Sequence, residues 1–195
     1  HRLSIVNQPM ALKSTVYKAL LQVADIDHGF YQDLSLTLAR HPSETDERMM
    51  VRLAAMALSA YQLEERCQGD GRLAFGAGLS DPDDPDVSLT DFTGRKRLWV
   101  EVGLPEDKPL TRACSKADEV VVYAYQSNAP IWWRGIESRL TRLDRLSVWH
   151  LPLPAGQALS QLAERSMQLQ ATIQEHSLTL SSERGSVHIE PERWK

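Results

Sequence analysis

The chain has 195 residues, a formal net charge of −4, 42% hydrophobic and 25% charged residues. That is the composition of one soluble globular domain, not of a disordered chain, a fibre or a disulfide scaffold. The acidic balance excludes a bulk-basic histone-like binder, although a local basic patch can still hold nucleic acid.

No window of eighteen apolar residues exists and the first residues carry no apolar signal core, so the expectation is a cytoplasmic protein without a membrane partner. Cys67 and Cys114 form no C-x-x-C pair, which fits a reducing compartment and gives no zinc signature. Met10-Ala11-Leu12-Lys13 reads as a start. Residues 1–9 are therefore an expected N-terminal extension, and residues 10–195 one domain.

Residues 12–40 are strand-rich. Thr15, Tyr17, Ala19, Leu21 and Val23 alternate with mostly polar neighbours, and Leu34, Leu36 and Leu38 alternate again after Asp25-Ile26-Asp27-His28-Gly29. This predicts a long hairpin with one buried face. His41-Pro42 breaks the strand, and Ser43 with Asp46 three residues on predicts a capped helix running to about residue 66. Met50, Leu53, Ala57 and Ala60 form its apolar stripe, with Val51, Ala54 and Leu58 beside them.

An apolar run at 73–79 and an acidic, proline-rich loop at 81–86 follow. The pattern then predicts a hairpin over 87–103, helices over 110–117, 129–141 and 155–165, and strands over 120–125 and 146–151. Residues 167–189 alternate as one or two strands, turning near Glu175-His176. The fold class is α/β (α+β), with a mixed central sheet flanked by helices and a β-α-β-α-β middle.

Two carboxylates stand out. If Thr93-Gly94 is a two-residue hairpin turn, opposed residues have numbers summing to 187, which sets Asp86 across from Glu101 on one sheet face. Glu101 lies in the otherwise apolar strand Leu98-Trp99-Val100-Glu101-Val102-Gly103. Such a pair needs a cation, a shared proton or water. Paired oxygens suit Mg²⁺ or Mn²⁺, and a salt bridge to Arg or Lys is the structural alternative. Glu44 and Glu47 open the long helix three residues apart, on the face of Val51, Ala54 and Leu58. Either could reach the same cluster, and first-turn capping would equally account for them.

Several strings resemble the YaeQ family of bacterial proteins. They include Leu36-Thr37-Leu38-Ala39-Arg40-His41-Pro42-Ser43-Glu44-Thr45, Glu47-Arg48-Met49-Met50, the strand Leu98 to Gly103 with Leu104-Pro105, Ile131-Trp132-Trp133, Leu146-Ser147-Val148-Trp149 and Leu169-Gln170-Ala171-Thr172-Ile173-Gln174. The resemblance implies a modified PD-(D/E)XK restriction-endonuclease-like core, extended by the first hairpin and the last strands. In that superfamily an Asp and an (Asp/Glu)-x-Lys on adjacent strands bind divalent metal and activate water, often with a Glu from the preceding helix. Pro85-Asp86 matches the first motif, Glu101 the second acid and Glu44 the helix acid. The lysine position is Gly103 here, and Lys116 on the following helix is the candidate replacement.

The resemblance therefore implies a divalent-metal-dependent phosphodiesterase acting on nucleic acid. Asp86, Glu101, Glu44 and Glu47 are its candidate metal ligands, and Lys116 its basic residue. The alternative is an inactive nuclease-fold module that binds nucleic acid or a protein partner. Arg95-Lys96-Arg97 at the hairpin tip and Arg134 beside Trp132 and Trp133 are the candidate phosphate contacts. No zinc-hydrolase, serine-hydrolase or phosphate-loop motif occurs.

Overall fold

The computed structural model describes residues 13–195 apart from Gly78 and Ser80. The expected start at Met10 and the expected extension over 1–9 lie outside the described residues. Strands β1 (Thr15–Asp25) and β2 (Phe30–Arg40) form the expected hairpin, paired without a break from Thr15↔Arg40 to Asp25↔Phe30. Helix α1 (Asp46–Ser59) and the short α2 (Gln62–Cys67) follow. Strands β3 (Gly71–Phe75), β4 (Val87–Asp91) and β5 (Lys96–Val102) lead into α3 (Asp107–Lys116), β6 (Ala117–Ala124), α4 (Ala129–Leu140) and β7 (Leu146–His150). Helix α5 (Leu153–Ser160), β8 (Ser166–Gln174), β9 (Ser177–Ser182), β10 (Gly185–Ile189) and β11 (Glu192–Arg193) complete the chain.

The strands form two sheets, not one. The first has the order β10-β9-β8-β1-β2, and the second β11-β7-β6-β5-β4-β3. The expectation that the first hairpin and last strands extend the central sheet is therefore corrected. β1 pairs in parallel with β8 instead, and the resulting sheet stands apart with its own alternation of buried and exposed residues. The middle of the chain is as expected: β5, β6 and β7 run parallel, joined by α3 and α4.

Helix α1 explains the separation. Met49 through Ala57 are all buried, so the helix has no solvent face along that stretch. A helix apolar all round belongs between two packing surfaces. One core joins the inner face of the first sheet, α1 and the Leu98, Val100 and Val102 face of the second. A second core, with Trp99, Val122 and Trp133, packs α3 and α4 on the opposite face. The layers are sheet, helix, sheet, helices.

Three local details differ from expectation. The helix begins two residues later than expected, with Thr45 and not Ser43 as N-cap, accepting from Arg48 N at 3.1 Å. His41 to Glu44 closes a turn of its own, in which Ser43 bonds the His41 ring. The helix also breaks at Ala60–Tyr61 instead of running through. Finally, the 167–189 region holds three strands, because a second reversal follows the one at Glu175-His176, where both residues have positive φ as such tight turns demand.

The β4–β5 turn reaches the expected register by another route. Asp91 N bonds Arg95 O, and Gly94 has φ 87°, the left-handed residue of a three-residue loop. Thr90 accordingly faces Lys96, one short of the sum 187. A bulge at Arg97 then restores it: Leu89↔Leu98, Ser88↔Trp99 and Val87↔Val100 all sum to 187. Continued one step, that register sets Asp86 opposite Glu101.

Candidate functional site

Arg48 and Arg52 come from α1, Glu44 from the turn just before its N-cap, Asp86 from the residue before β4, and Glu101 from β5. Asp86 N donates to Val100 O at 2.9 Å, which extends the β4–β5 ladder by one rung. Its carboxylate folds back on the neighbouring strand, where Oδ2 accepts from Val102 N at 2.9 Å. Oδ1 accepts from Arg48 Nη2 at 2.9 Å. The other end of the same guanidinium, Nη1, donates to Glu44 Oε2 at 2.6 Å. The remaining oxygen of Glu44, Oε1, takes Arg52 Nη2 at 2.5 Å.

Burial makes these pairings compulsory. Glu44 and Asp86 are each 2% exposed and Arg52 is fully buried. Removing an ion from water costs several kcal/mol unless a partner and further hydrogen bonds replace hydration. Glu44 sits in the turn just before α1, not in its first turn as expected, and Arg48 and Arg52, one helical turn apart on α1, both reach back to it. Burial works against the Arg48 charge, but Asp86 and Glu44 outweigh it and hold its pKa above the usual value.

Glu101 is the third acid. Its Oε1 accepts from Trp99 Nε1 at 2.8 Å, on the sheet face that carries α3 and α4. Burial and the adjacent Asp86 carboxylate push its pKa up to about 8, and its carboxyl is within hydrogen-bonding reach of Asp86. At neutral pH it carries a proton. The centre thus sets two guanidiniums, Arg48 and Arg52, against the acids Glu44 and Asp86, with Glu101 beside Asp86. Nearby, burial pushes Tyr125 up to about 12.

Among the described residues, no group of three His, Cys, Asp or Glu side chains is placed to hold an ion. Arg48 stands between the two ionised carboxylates, and all four of their oxygens are engaged. Glu47 is not drawn into the group: its Oε1 lies against α5, where it would come within 2.6 Å of a Cβ at Gly156, and burial raises its pKa.

The sequence profile of the YaeQ protein family matches residues 10–191. The chain belongs to the YaeQ family. It is 43% identical over 187 residues to the YaeQ protein of Salmonella typhi, covering 95% of this chain and 98% of that one. The YaeQ protein of Escherichia coli K12 is 41% identical over the same length and coverage. Among solved structures, YaeQ from Xanthomonas axonopodis pv. citri superposes with a TM-score of 0.85 at 40% identity, over 93% of this chain and 98% of that one. YaeQ from Pseudomonas syringae gives 0.84 at 30% identity, over 93% and 96%. The two-sheet α+β fold is therefore that of the YaeQ structures.

The basic residues of this YaeQ-family chain are placed as follows. Gly103, at the lysine position of the implied motif, has φ 108°, a left-handed conformation that strains any L side chain. Lys116 ends α3 and sets its ammonium 6.0 Å from the Trp99 ring centroid, with Lys96 at 5.2 Å. Both approach the indole that bonds Glu101. Arg95 and Arg97 at the hairpin tip converge on Asp118, at 2.6 and 2.7 Å, and Arg97 also approaches Asp91. Arg134 is exposed on α4, while Trp133 beside it packs in the core and Trp132 donates to Pro105 O at 2.9 Å.

Arg48 and Arg52 were the residues that carboxylate spacing alone did not single out. Their signal is nonetheless present. A charged Arg52 amid Met49, Met50, Val51, Leu53, Ala54 and Ala55 must find a buried acid. Glu44, in the turn just before α1, is the acid it reaches.

Proposed function

We propose that this YaeQ-family chain is a PD-(D/E)XK-like core whose acidic centre is an ion-pair lock, and that the protein acts by binding, not by hydrolysis. The observation that carries this reading is Arg48, which bridges Glu44 and Asp86 at 2.6 and 2.9 Å. A guanidinium there supplies the positive charge that paired buried acids need. Two further features support it. Burial and Asp86 raise the Glu101 pKa, so a cation at the acids has to displace its proton as well as Arg48. Position 103 has a backbone suited to glycine, so the superfamily's lysine is not merely replaced there.

The partner favoured is not a nucleic-acid backbone. Two of the three arginine and lysine charges at the hairpin tip are tied to Asp118, and the net charge is −4. Counterion release needs several cations free to meet phosphates.

A second reading, Mg²⁺- or Mn²⁺-dependent phosphodiester hydrolysis, is favoured by one observation. Asp86 and Glu101 are opposed across adjacent strands, and Glu44 approaches from the turn just before α1, close to the acid arrangement the resemblance implies. It requires Arg48 to leave Asp86. Hydrolysis of a generic nucleic-acid substrate with added Mn²⁺, in wild type and in Glu101→Ala, separates the two. The binding reading expects no turnover above that of Glu101→Ala. Chelator-sensitive turnover that Glu101→Ala abolishes establishes the second reading.

A further inference from the structure

At the far end of α1 from the acidic lock, the two sheets splay apart over a cleft of about 640 Å³. That volume is within the range of small-molecule sites. Arg52, the last residue of the lock along α1, lies six residues before Leu58, the first α1 residue to line the cleft, roughly 9 Å at 1.5 Å per residue. α1 ends at Ser59, and beyond it the cleft is lined by Tyr61 and by Gln62 and Arg66 of the short α2.

Its floor is buried and polar: Tyr123, Ser59 and Gln62 are at most 8% exposed. Its two sides each present an aromatic ring backed by a nitrogen-rich plane. On the side of the first sheet, the Tyr61 ring stacks on His28, centroids 3.5 Å apart and planes within 6°. His28 is itself fixed, its Nδ1 lying 2.9 and 3.0 Å from the two oxygens of the fully buried Asp25. On the side of the second sheet, the Arg193 guanidinium lies 5.5 Å from the Trp149 ring centroid.

The charges around the cleft divide into satisfied and unsatisfied ones. Glu119 is paired with Arg66 at 2.7 Å, Asp118 with Arg95 and Arg97, and Asp27 accepts the backbone N–H groups of Glu175 and His176. Besides Asp27, three charged lining residues have no ion pair among the described residues. They are Arg145, which donates only to the carbonyls of Cys114 and Ala117, Arg193, which donates to Lys195 O, and Asp144.

We propose that this cleft binds a nucleoside 5′-monophosphate or a molecule of the same chemistry. That chemistry is a planar ring, hydroxyl donors and an anionic group on one small frame. The Tyr61–His28 and Trp149–Arg193 pairs offer stacking surfaces for the ring. Arg145 and Arg193 offer charge-assisted donors to the anion, and Asp144 accepts from hydroxyls. The site is separate from the acidic lock and does not depend on whether that centre hydrolyses anything.

The test is a titration of the full chain with adenosine 5′-monophosphate, followed by tryptophan fluorescence and calorimetry. Adenosine alone and inorganic phosphate alone serve as the separate arms. The expected result is saturable quenching that weakens at least about tenfold, or 1.4 kcal/mol, in Arg193→Met and in Arg145→Met. Both residues are exposed, so neither substitution threatens folding. Arg112→Met, at an exposed cation on α3 on the other face of the second sheet, should leave affinity unchanged. Adenosine and phosphate should each bind more weakly than the nucleotide. The proposal is overturned if wild type shows no saturable binding up to about 5 mM. It is equally overturned if Arg112→Met weakens binding as much as the two cleft variants, since that marks diffuse charge attraction.

Discussion

Glu101→Gln is the most informative single change at the acidic centre. Glutamine keeps the shape of the protonated acid: its amide oxygen can still accept from Trp99 Nε1, and its NH₂ can donate to Asp86. In the folded wild type Glu101 holds its proton up to about pH 8, against an ordinary 4.5. Between those values the folded chain binds a proton that the unfolded chain has released. The contribution is therefore complete below the unfolded value and is lost as pH rises towards the folded one. At 1.36 kcal/mol per unit the ceiling is roughly 5 kcal/mol. Partial exposure and solvent screening bring the expected effect to about 2 kcal/mol. Urea unfolding at about pH 5 and about pH 9 reads it directly. Wild type should lose about 2 kcal/mol relative to Glu101→Gln over that span, with the variant the more stable at high pH. Parallel pH curves for the two proteins, or a variant less stable throughout, would show that Glu101 is ionised in the folded state and refute the reasoning.

Other substitutions test the remaining parts. Arg48→Met leaves Asp86 uncompensated and should cost about 3–5 kcal/mol by urea unfolding, less when Asp86→Asn is already present. Gly103→Lys meets no neighbour within 4 Å but must adopt φ 108°, so it should cost about 1–2 kcal/mol and confer no hydrolysis. Thr45→Ala removes the α1 cap bond and should lower stability by about 1 kcal/mol in the same assay.

Local periodicity made most elements readable. The alternation in residues 15–23 and 34–38, the β-α-β-α-β middle and the turn at Glu175-His176 are local patterns, and the chain folds them as they read. The division into two sheets was not legible, because it depends on β1 pairing with β8 across some 150 residues. Its trace was the near-continuous apolar run from Met49 to Ala57, which one stripe cannot explain.

The Asp86–Glu101 opposition followed from a two-residue turn that does not exist. A three-residue loop and the Arg97 bulge cancel, so the register survives. The cations were harder. Periodicity showed where acids meet but gave no weight to Arg48, whose long side chain crosses from α1 to a strand 38 residues on.

The most direct test of the ion-pair lock is calorimetric titration of Mn²⁺ into metal-stripped wild type, alongside Asp86→Ala and Glu101→Ala. A lock closed by Arg48 predicts no saturable heat from wild type up to about 1 mM ion, and the same flat trace from both variants. Stoichiometric uptake by wild type that both variants lose would contradict the lock and place a divalent cation at the acids.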